Sequence, residues 1–232
     1  MPRNNRTGHR TKHVANATDG PGRSAPNPPS AGQAAGRGLV RIIGGEWRGR
    51  KLYFPQQEQL RPTPDRVRET VFNWLQFELA GRRCLDLFAG SGALGLEALS
   101  RGAAQVVFVE RDPGSARAIE ATLATLGCAR GQVELEDAFA YLRRSAPQPF
   151  EVVFLDPPYG EDWLAPACEA LERGGWLRPD GWIYLEDRAE RGAPRLPAGW
   201  ALMRSKRAGD VGYHLARRGA PAHNDENNRG SA

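Results

Sequence analysis

Cysteine and histidine are scarce in this chain, and neither is arranged for chemistry. The three cysteines, Cys84, Cys128 and Cys168, are odd in number, far apart and without a C-x-x-C pair. That pattern argues against a disulfide framework or a zinc site and suits a reducing cytoplasm. His9 and His13 lie near the start and His214 and His223 near the end, so neither a metal cluster nor a Ser-His-Asp arrangement is predicted. No apolar run approaches a membrane span or signal sequence in length, and no internal repeat is visible. Large apolar side chains are nearly missing from residues 1–38, where Pro, Gly, Ser, Asn and Arg dominate. Such a segment cannot offset the entropy of ordering and is expected to be a disordered arm, as is the similar tail at 219–232.

What is present is a moderate basic excess, a formal net charge of +5 over 232 residues. Arg3, Arg6, Arg10, Lys12, Arg23, Arg37 and Arg41 face only Asp19 in the first part of the chain. This arm either adds salt-sensitive affinity for phosphates or is a solvated leader. It has no amphipathic apolar face, so a transit peptide is not expected. The remainder divides into an N-terminal hairpin and helix at 39–80 and a core at 81–218, long enough to bury one sizeable α/β domain.

In that core, strand-like apolar runs at 83–87, 105–110, 133–136, 151–155 and 181–186 alternate with helical periodicity at 93–100, 113–126, 138–144 and 164–173. The alternation predicts a mostly parallel sheet covered by helices on both faces. Two further runs, at 200–207 and 211–217, flank the turn-like Ala208-Gly209-Asp210 and predict an antiparallel hairpin at one edge, making seven strands. Upstream, a helix is expected over 63–79, with Thr63 as N-cap and Pro64 in its first turn. Residues 40–52 read as an arginine-rich β-hairpin.

Two loops carry chemistry. Gly90, Gly92 and Gly95 after the first core strand fit G-x-G-x-x-G, which suits either a dinucleotide or an S-adenosylmethionine (SAM) site, and Glu110 could accept from ribose hydroxyls in both. Asp86 favours SAM: an acid there would repel a pyrophosphate, whereas SAM brings an ammonium and a sulfonium. The D-x-F-x-G-x-G string resembles the first motif of class I SAM-dependent methyltransferases, which marks Phe88, Ser91 and Arg111 with Asp86, Gly90, Gly92 and Glu110 as cofactor residues. After the third strand, Asp137, Ala138 and Phe139 are candidates for the adenine, with helix capping the alternative role for Asp137.

The second loop is Phe154-Leu155-Asp156-Pro157-Pro158-Tyr159-Gly160. Proline fixes its own φ and extends the residue before it, so this exit holds one carboxylate, one or two carbonyls and a ring in rigid relation. An exocyclic amino group on a flat base needs such a set. Its nitrogen is a poor nucleophile, and the Asp156 carboxylate with the Pro157 carbonyl could orient its lone pair and stabilise the developing charge. Tyr159 would stack on the base.

D-P-P-Y resembles the motif of amino-methyltransferases acting on adenine N6, cytosine N4 and guanine N2. RIIGGEWRGRKL, RPTPDRVRETVFNWL, LDLFAGSGALGLEALSRGA, FLDPPYG and KRAGDVGYHL together are similar to the bacterial 16S ribosomal RNA guanine-N2 methyltransferases that modify guanine-966 of the small subunit. The resemblance covers about residues 40–217. It implies a Rossmann-like class I methyltransferase fold, SAM as donor, and the 30S subunit or an assembly intermediate as partner. Asp156, Pro157, Pro158 and Tyr159 would hold the guanine. Arg41, Trp47, Arg48, Arg50 and Lys51 of the hairpin, with Arg61 and Arg66, would meet RNA. Competing readings are a DNA adenine-N6 or cytosine-N4 enzyme, for which no target-recognition segment is visible, a nicotinamide-dependent oxidoreductase, and a non-catalytic RNA binder. A monomer is expected.

Overall fold

The computed structural model describes residues 37–55, 63–144, 148–158 and 161–219. The expected arm up to residue 36, the tail from residue 220, Arg61 and Tyr159 lie outside the described residues.

A two-stranded ribbon comes first, β1 (Arg37–Arg41) antiparallel to β2 (Lys51–Pro55). It starts inside the stretch read as the arm, because Arg37 and Gly38 pair with Pro55 and Phe54. Gly38 is required there: a Cβ would stand 2.2 Å from the Phe54 ring. Burial alternates along the ribbon, with Val40, Leu52 and Phe54 inward and Leu39, Arg41, Lys51 and Tyr53 outward.

The turn between these strands is clamped onto α2 (Ala93–Ser100). Glu97, fully buried, accepts from Ile43 N at 2.7 Å, Gly44 N at 2.8 Å and Arg101 Nε at 2.8 Å. Its other neighbour is Arg68 Nη1 at 3.9 Å, also fully buried, whose Nη2 reaches Asp65 Oδ1 at 2.6 Å and Arg41 O at 2.9 Å. Gly45, at φ 76°, lies so close to Ser100 that a Cβ would sit 1.9 Å from its carbonyl oxygen. Ser100 also accepts from Trp47 N at 2.9 Å through Oγ.

The core is a seven-stranded sheet in the order β5-β4-β3-β6-β7-β9-β8. Its members are β3 (Arg83–Asp86), β4 (Gln105–Glu110), β5 (Gly131–Leu135), β6 (Phe150–Leu155), β7 (Leu177–Arg188), β8 (Trp200–Ala208) and β9 (Val211–Arg218). The pairings from β5 through β7 are parallel; β9 runs antiparallel between β7 and the edge strand β8. The Rossmann-like sheet with its terminal hairpin is thus as expected. β7 begins four residues before the expected start: Leu177 pairs with Phe150, then the chain bulges through Asp180, at φ 62°, before Trp182 pairs with Val152. The turn-like Pro179-Asp180-Gly181 is absorbed as an irregularity rather than ending the strand.

Each sheet face has its own core. One joins Cys84, Phe108, Val152, Phe154 and Tyr184 to α1 (Asp65–Trp74), α2 and α3 (Pro113–Thr125). The other joins Leu85, Val107, Val153, Leu155 and Ile183 to α4 (Ala138–Leu142) and α5 (Leu164–Arg173). All eight residues of α2 are buried, which suits a helix held between sheet and ribbon turn. Gly95 lets it approach, since a Cβ there would be 2.2 Å from the Phe108 ring. Cys84 and Cys168 are buried on opposite faces, and Cys128, in the turn after α3, is partly exposed.

Helix α1 is shorter than the expected 63–79 and lacks the expected cap. Pro64 occupies the N-cap position with no side-chain hydrogen bond, and the Thr63 hydroxyl turns away from the helix amides. No helix among the described residues is long and apolar enough to cross a membrane.

Candidate active site

Strands β3 and β6 are parallel neighbours with Asp86 beside Phe154, and the strand order departs in opposite directions from this pair. Open α/β sheets bind ligands beyond the carboxyl ends of such strands. The glycine loop and the D-P-P segment meet there, joined by Leu87 N donating to Phe154 O at 3.2 Å.

The loop is built from below by acids. Asp86 Oδ2 accepts from Gly95 N at 2.9 Å, inside α2, while Glu110 accepts from Gly90 N at 2.6 Å and from Asp112 N at 2.7 Å, one at each oxygen. Gly90 and Gly92 adopt φ of 52° and 74°, the left-handed region that glycine enters without steric cost. Gly92 shapes the loop as N-cap of α2 and does not line the crevice. Asp86, Phe88, Gly90, Ser91, Glu110, Arg111, Asp137 and Ala138 do line it, as do Asp156, Pro157 and Pro158 opposite.

Asp137 plays the capping role considered for it, accepting from Ala140 N at 3.0 Å through Oδ1, and still borders the crevice. Phe139 is a correction. Helix α4 turns its ring out of the crevice into a T-shaped contact with Trp163, at 5.9 Å and 89°, and a second edge contact with Phe88. The apolar wall is instead Phe88, Ala138 and Trp163. Trp163 stacks on Phe88 at 5.9 Å and carries the Arg111 guanidinium over its ring at 5.6 Å. Its one signal in the sequence is an aromatic just before the helix that follows the D-P-P turn.

Asp156 stands in a nest of acids. Thr63 Oγ1 lies 3.1 Å from Asp156 Oδ2 and 3.1 Å from Glu186 Oε2, and Tyr184 Oη donates to the same Glu186 oxygen at 2.5 Å. Burial first, then Glu186, Asp86 and Asp187, hold the Asp156 carboxyl well above the usual carboxylate range, against the Thr63 hydrogen bond. Burial, with a lesser push from Glu110, raises Asp86 to about 7 despite the Gly95 amide. A crevice with this surplus of negative charge fits a cationic ligand and repels a pyrophosphate. Among the described residues no cluster of His, Cys, Asp or Glu is placed to hold a metal ion.

The residues expected to meet RNA separate. Arg41 and Lys51 face each other on the exposed side of the ribbon, and Arg66 is exposed on the first turn of α1. Arg48 and Arg50 are exposed in the ribbon turn, at the end of α2 away from the glycine loop. Trp47 is the second correction. It is buried at 6% exposure against α2, with the Arg130 guanidinium 5.6 Å above its ring, so its indole presents no open face to a base.

Known proteins resemble this chain in sequence and fold. The ribosomal RNA small subunit methyltransferase D of Escherichia coli K12 is 46% identical over 191 residues, covering 82% of this chain and 96% of the relative. The solved structure of YhhF from Escherichia coli, 45% identical, covers 78% of this chain and 98% of its own with a TM-score of 0.73. A distant chain solved in complex with SAH, 16% identical, has the same fold at a TM-score of 0.58 over 78% of this chain and 56% of its own. The family model described as conserved hypothetical protein 95 matches residues 40–217, and the chain belongs to that family, alongside the small subunit methyltransferases D.

Proposed function

We infer that the protein transfers a methyl group from SAM to the exocyclic N2 amino group of a guanine in 16S ribosomal RNA, guanine-966 being the nucleotide that the family resemblance implies. One observation carries the reading: the acid of the D-P-P segment and the glycine loop share one crevice across the β3–β6 pair. When bound, SAM supplies an electrophilic methyl group. Asp86 would balance its ammonium, the loop amides and the N-terminus of α2 its carboxylate, Glu110 its ribose hydroxyls, and Asp137 with Phe88, Ala138 and Trp163 its adenine. Across the crevice, Asp156 and the Pro157 carbonyl accept from the amino group of the base, aim its lone pair and stabilise the charge that develops on nitrogen. The prolines keep both acceptors in place without reorganisation, and Tyr159 would stack on the base.

The test is to incubate the protein with methyl-labelled SAM and, in parallel, unmodified 30S subunits, naked 16S rRNA and duplex DNA. Label recovered as N2-methylguanosine from the ribosomal substrate is expected. Label in N6-methyladenine or N4-methylcytosine of DNA would move the protein to the DNA enzymes. A ribosomal substrate and the three free cysteines support a cytoplasmic location.

Asp86 sits near 7 when the crevice holds no cation, and an ammonium favours its ionised form, so protonation competes with binding. SAM affinity should therefore rise from pH 6 to 7.5, by up to about tenfold per unit below pH 7, while the α-amino group, with a pKa of about 7.7 to 8.0, remains mostly charged. Calorimetry in buffers of different ionisation enthalpy should show proton release. Affinity flat across this window would remove Asp86 from the ammonium.

The ribbon supports RNA contact in its own way. Like charges directly opposite on paired strands are unfavourable, yet Arg41 faces Lys51, beside exposed Leu39 and Tyr53, with Asp65 at 3.7 Å from Arg41 offsetting part of the repulsion. A phosphate would resolve the repulsion, and the apolar pair could meet a base or sugar. Arg41→Ala with Lys51→Ala should raise KM for the RNA and reduce the slope of log affinity against log salt by about 1.5, leaving SAM affinity unchanged. An unaltered salt slope would place the phosphates elsewhere.

A further inference from the structure

We propose that Glu186 is a positioning residue for Asp156 and the final acceptor of the proton that the guanine amine loses, reached through the Thr63 hydroxyl. The inference rests on the methyl-transfer reading above and assigns a role to a buried carboxylate that this reading leaves unused.

Thr63 Oγ1 is 3.1 Å from an oxygen of Asp156 and 3.1 Å from an oxygen of Glu186, but a hydroxyl has one hydrogen to donate. With both carboxyls ionised, one contact would set lone pairs against lone pairs in a buried place. One proton on the pair resolves this. Tyr184 Oη already donates to Glu186 Oε2 at 2.5 Å, which favours the negative charge on Glu186. The shared proton then sits on Asp156 Oδ2 and points at Thr63, giving a chain from Asp156 through Thr63 to Glu186. The raised position of Asp156, caused by burial and by Glu186, agrees with that order.

The chain leaves Asp156 Oδ1 free to accept from the amino group of the base. Transfer of the methyl group would break its bond to the sulfonium of SAM, leaving a neutral thioether, and form the N–C bond, so N2 must lose one proton. Oδ1 takes it, Oδ2 passes its own to Thr63 Oγ1, and Thr63 passes its hydrogen to Glu186 Oε2. Asp156 is neutral before and after, Thr63 is unchanged, and Glu186 goes from anion to acid. Reversing the chain to water, once the product has left, resets the site. Throughout, the carboxyl group of Asp156 keeps the orientation that aims the lone pair, because Thr63, buried at 5% exposure at the start of α1, fixes Oδ2.

The test is single-turnover methylation of the ribosomal substrate at saturating SAM and RNA, using Thr63→Val, Glu186→Gln, their double variant and Thr63→Ser. Thr63→Val and Glu186→Gln are each expected to lower the rate about 10- to 100-fold. The double variant should be no slower than the slower single one, since a broken relay cannot be broken twice. Thr63→Ser should stay within about threefold of the parent, and SAM affinity and melting temperature should stay put. Multiplied losses in the double variant, unchanged rates, or losses confined to SAM affinity or melting would each overturn the proposal. If Glu186→Gln does not fold, Thr63→Val against Thr63→Ser decides it by the same rate and affinity readouts. A parent protein that leaves guanine unlabelled would instead sink the methyl-transfer reading itself, and that result is visible before any variant is made.

Discussion

Replacing Asp156 by alanine is expected to slow single-turnover methyl transfer by about 10²- to 10³-fold, as loss of one preorganised charge-stabilising group does elsewhere. SAM affinity should be nearly unaffected, because the cofactor groups other than Trp163 stand at the ends of β3 and β4 and at the start of α4, across the crevice from Asp156. The variant should also melt no lower than the parent. A carboxyl whose folded-state pKa is raised binds its proton more tightly in the native protein than in the unfolded chain. Taking up that proton on folding costs stability at neutral pH, and the cost fades as pH falls from the folded pKa to the ordinary carboxylate range. Asp156→Asn, which keeps a carbonyl acceptor, should fall between alanine and the parent in rate. Full activity in the alanine variant would remove the D-P-P acid from the chemistry. A collapse in melting temperature would make its role structural.

Glu97→Ala is expected to be the most destabilising single change among those discussed, by about 3–5 kcal/mol. It would strip Ile43 N and Gly44 N of their acceptor and take from the buried Arg68 guanidinium its one buried carboxylate neighbour, leaving it the half-exposed Asp65. For a body of this size the thermal midpoint should fall by roughly 10 °C or more. Glu97→Gln, which retains acceptors but not charge, should lose less. Asp65→Ala removes the carboxylate hydrogen-bonded to the buried Arg68, but its side chain is 55% exposed and water can take its place, so the loss should be smaller than for Glu97→Ala. Equal melting of Glu97→Ala and the parent would show that the ribbon turn is held by its apolar contacts instead.

The legible parts of this protein are those whose signal is local. Apolar periodicity marks every strand and helix of the core, and Gly209 marks the β8–β9 turn, so the sheet and both loops can be placed from sequence. Residues whose surroundings come from far along the chain read differently. Trp47 lies between Gly-Gly-Glu and Arg-Gly-Arg, which looks like an exposed turn; its burial depends on Ser100, 53 positions later. Thr63 before Pro-Asp reads as a helix cap, yet its partners are Asp156 and Glu186, 93 and 123 positions away. Glu186, at the end of an apolar strand, carries no mark of its burial. Arg68 and Glu97 look like ordinary polar positions on two helices, and only the packing of α1 against α2 shows that each is fully buried. Phe139 fails in the opposite direction: its spacing from Asp137 suits a wall for a bound ring, but the turn of α4 carries it past the crevice.

The burial of two of the three thiols has a practical consequence for studying the enzyme in motion. Cys168 is pushed up to about 12 by burial, and burial raises Cys84 too, so neither offers an appreciable thiolate to an alkylating dye near neutral pH. Cys128 is left as the thiol that meets solvent. It precedes β5 at the amino-terminal side of the sheet, opposite the carboxyl ends where the crevice opens. A maleimide fluorophore should therefore attach at this single position in the unaltered sequence and leave turnover intact. That supplies a reporter for tracking encounters with ribosomal particles by anisotropy or energy transfer without engineering a cysteine-free background.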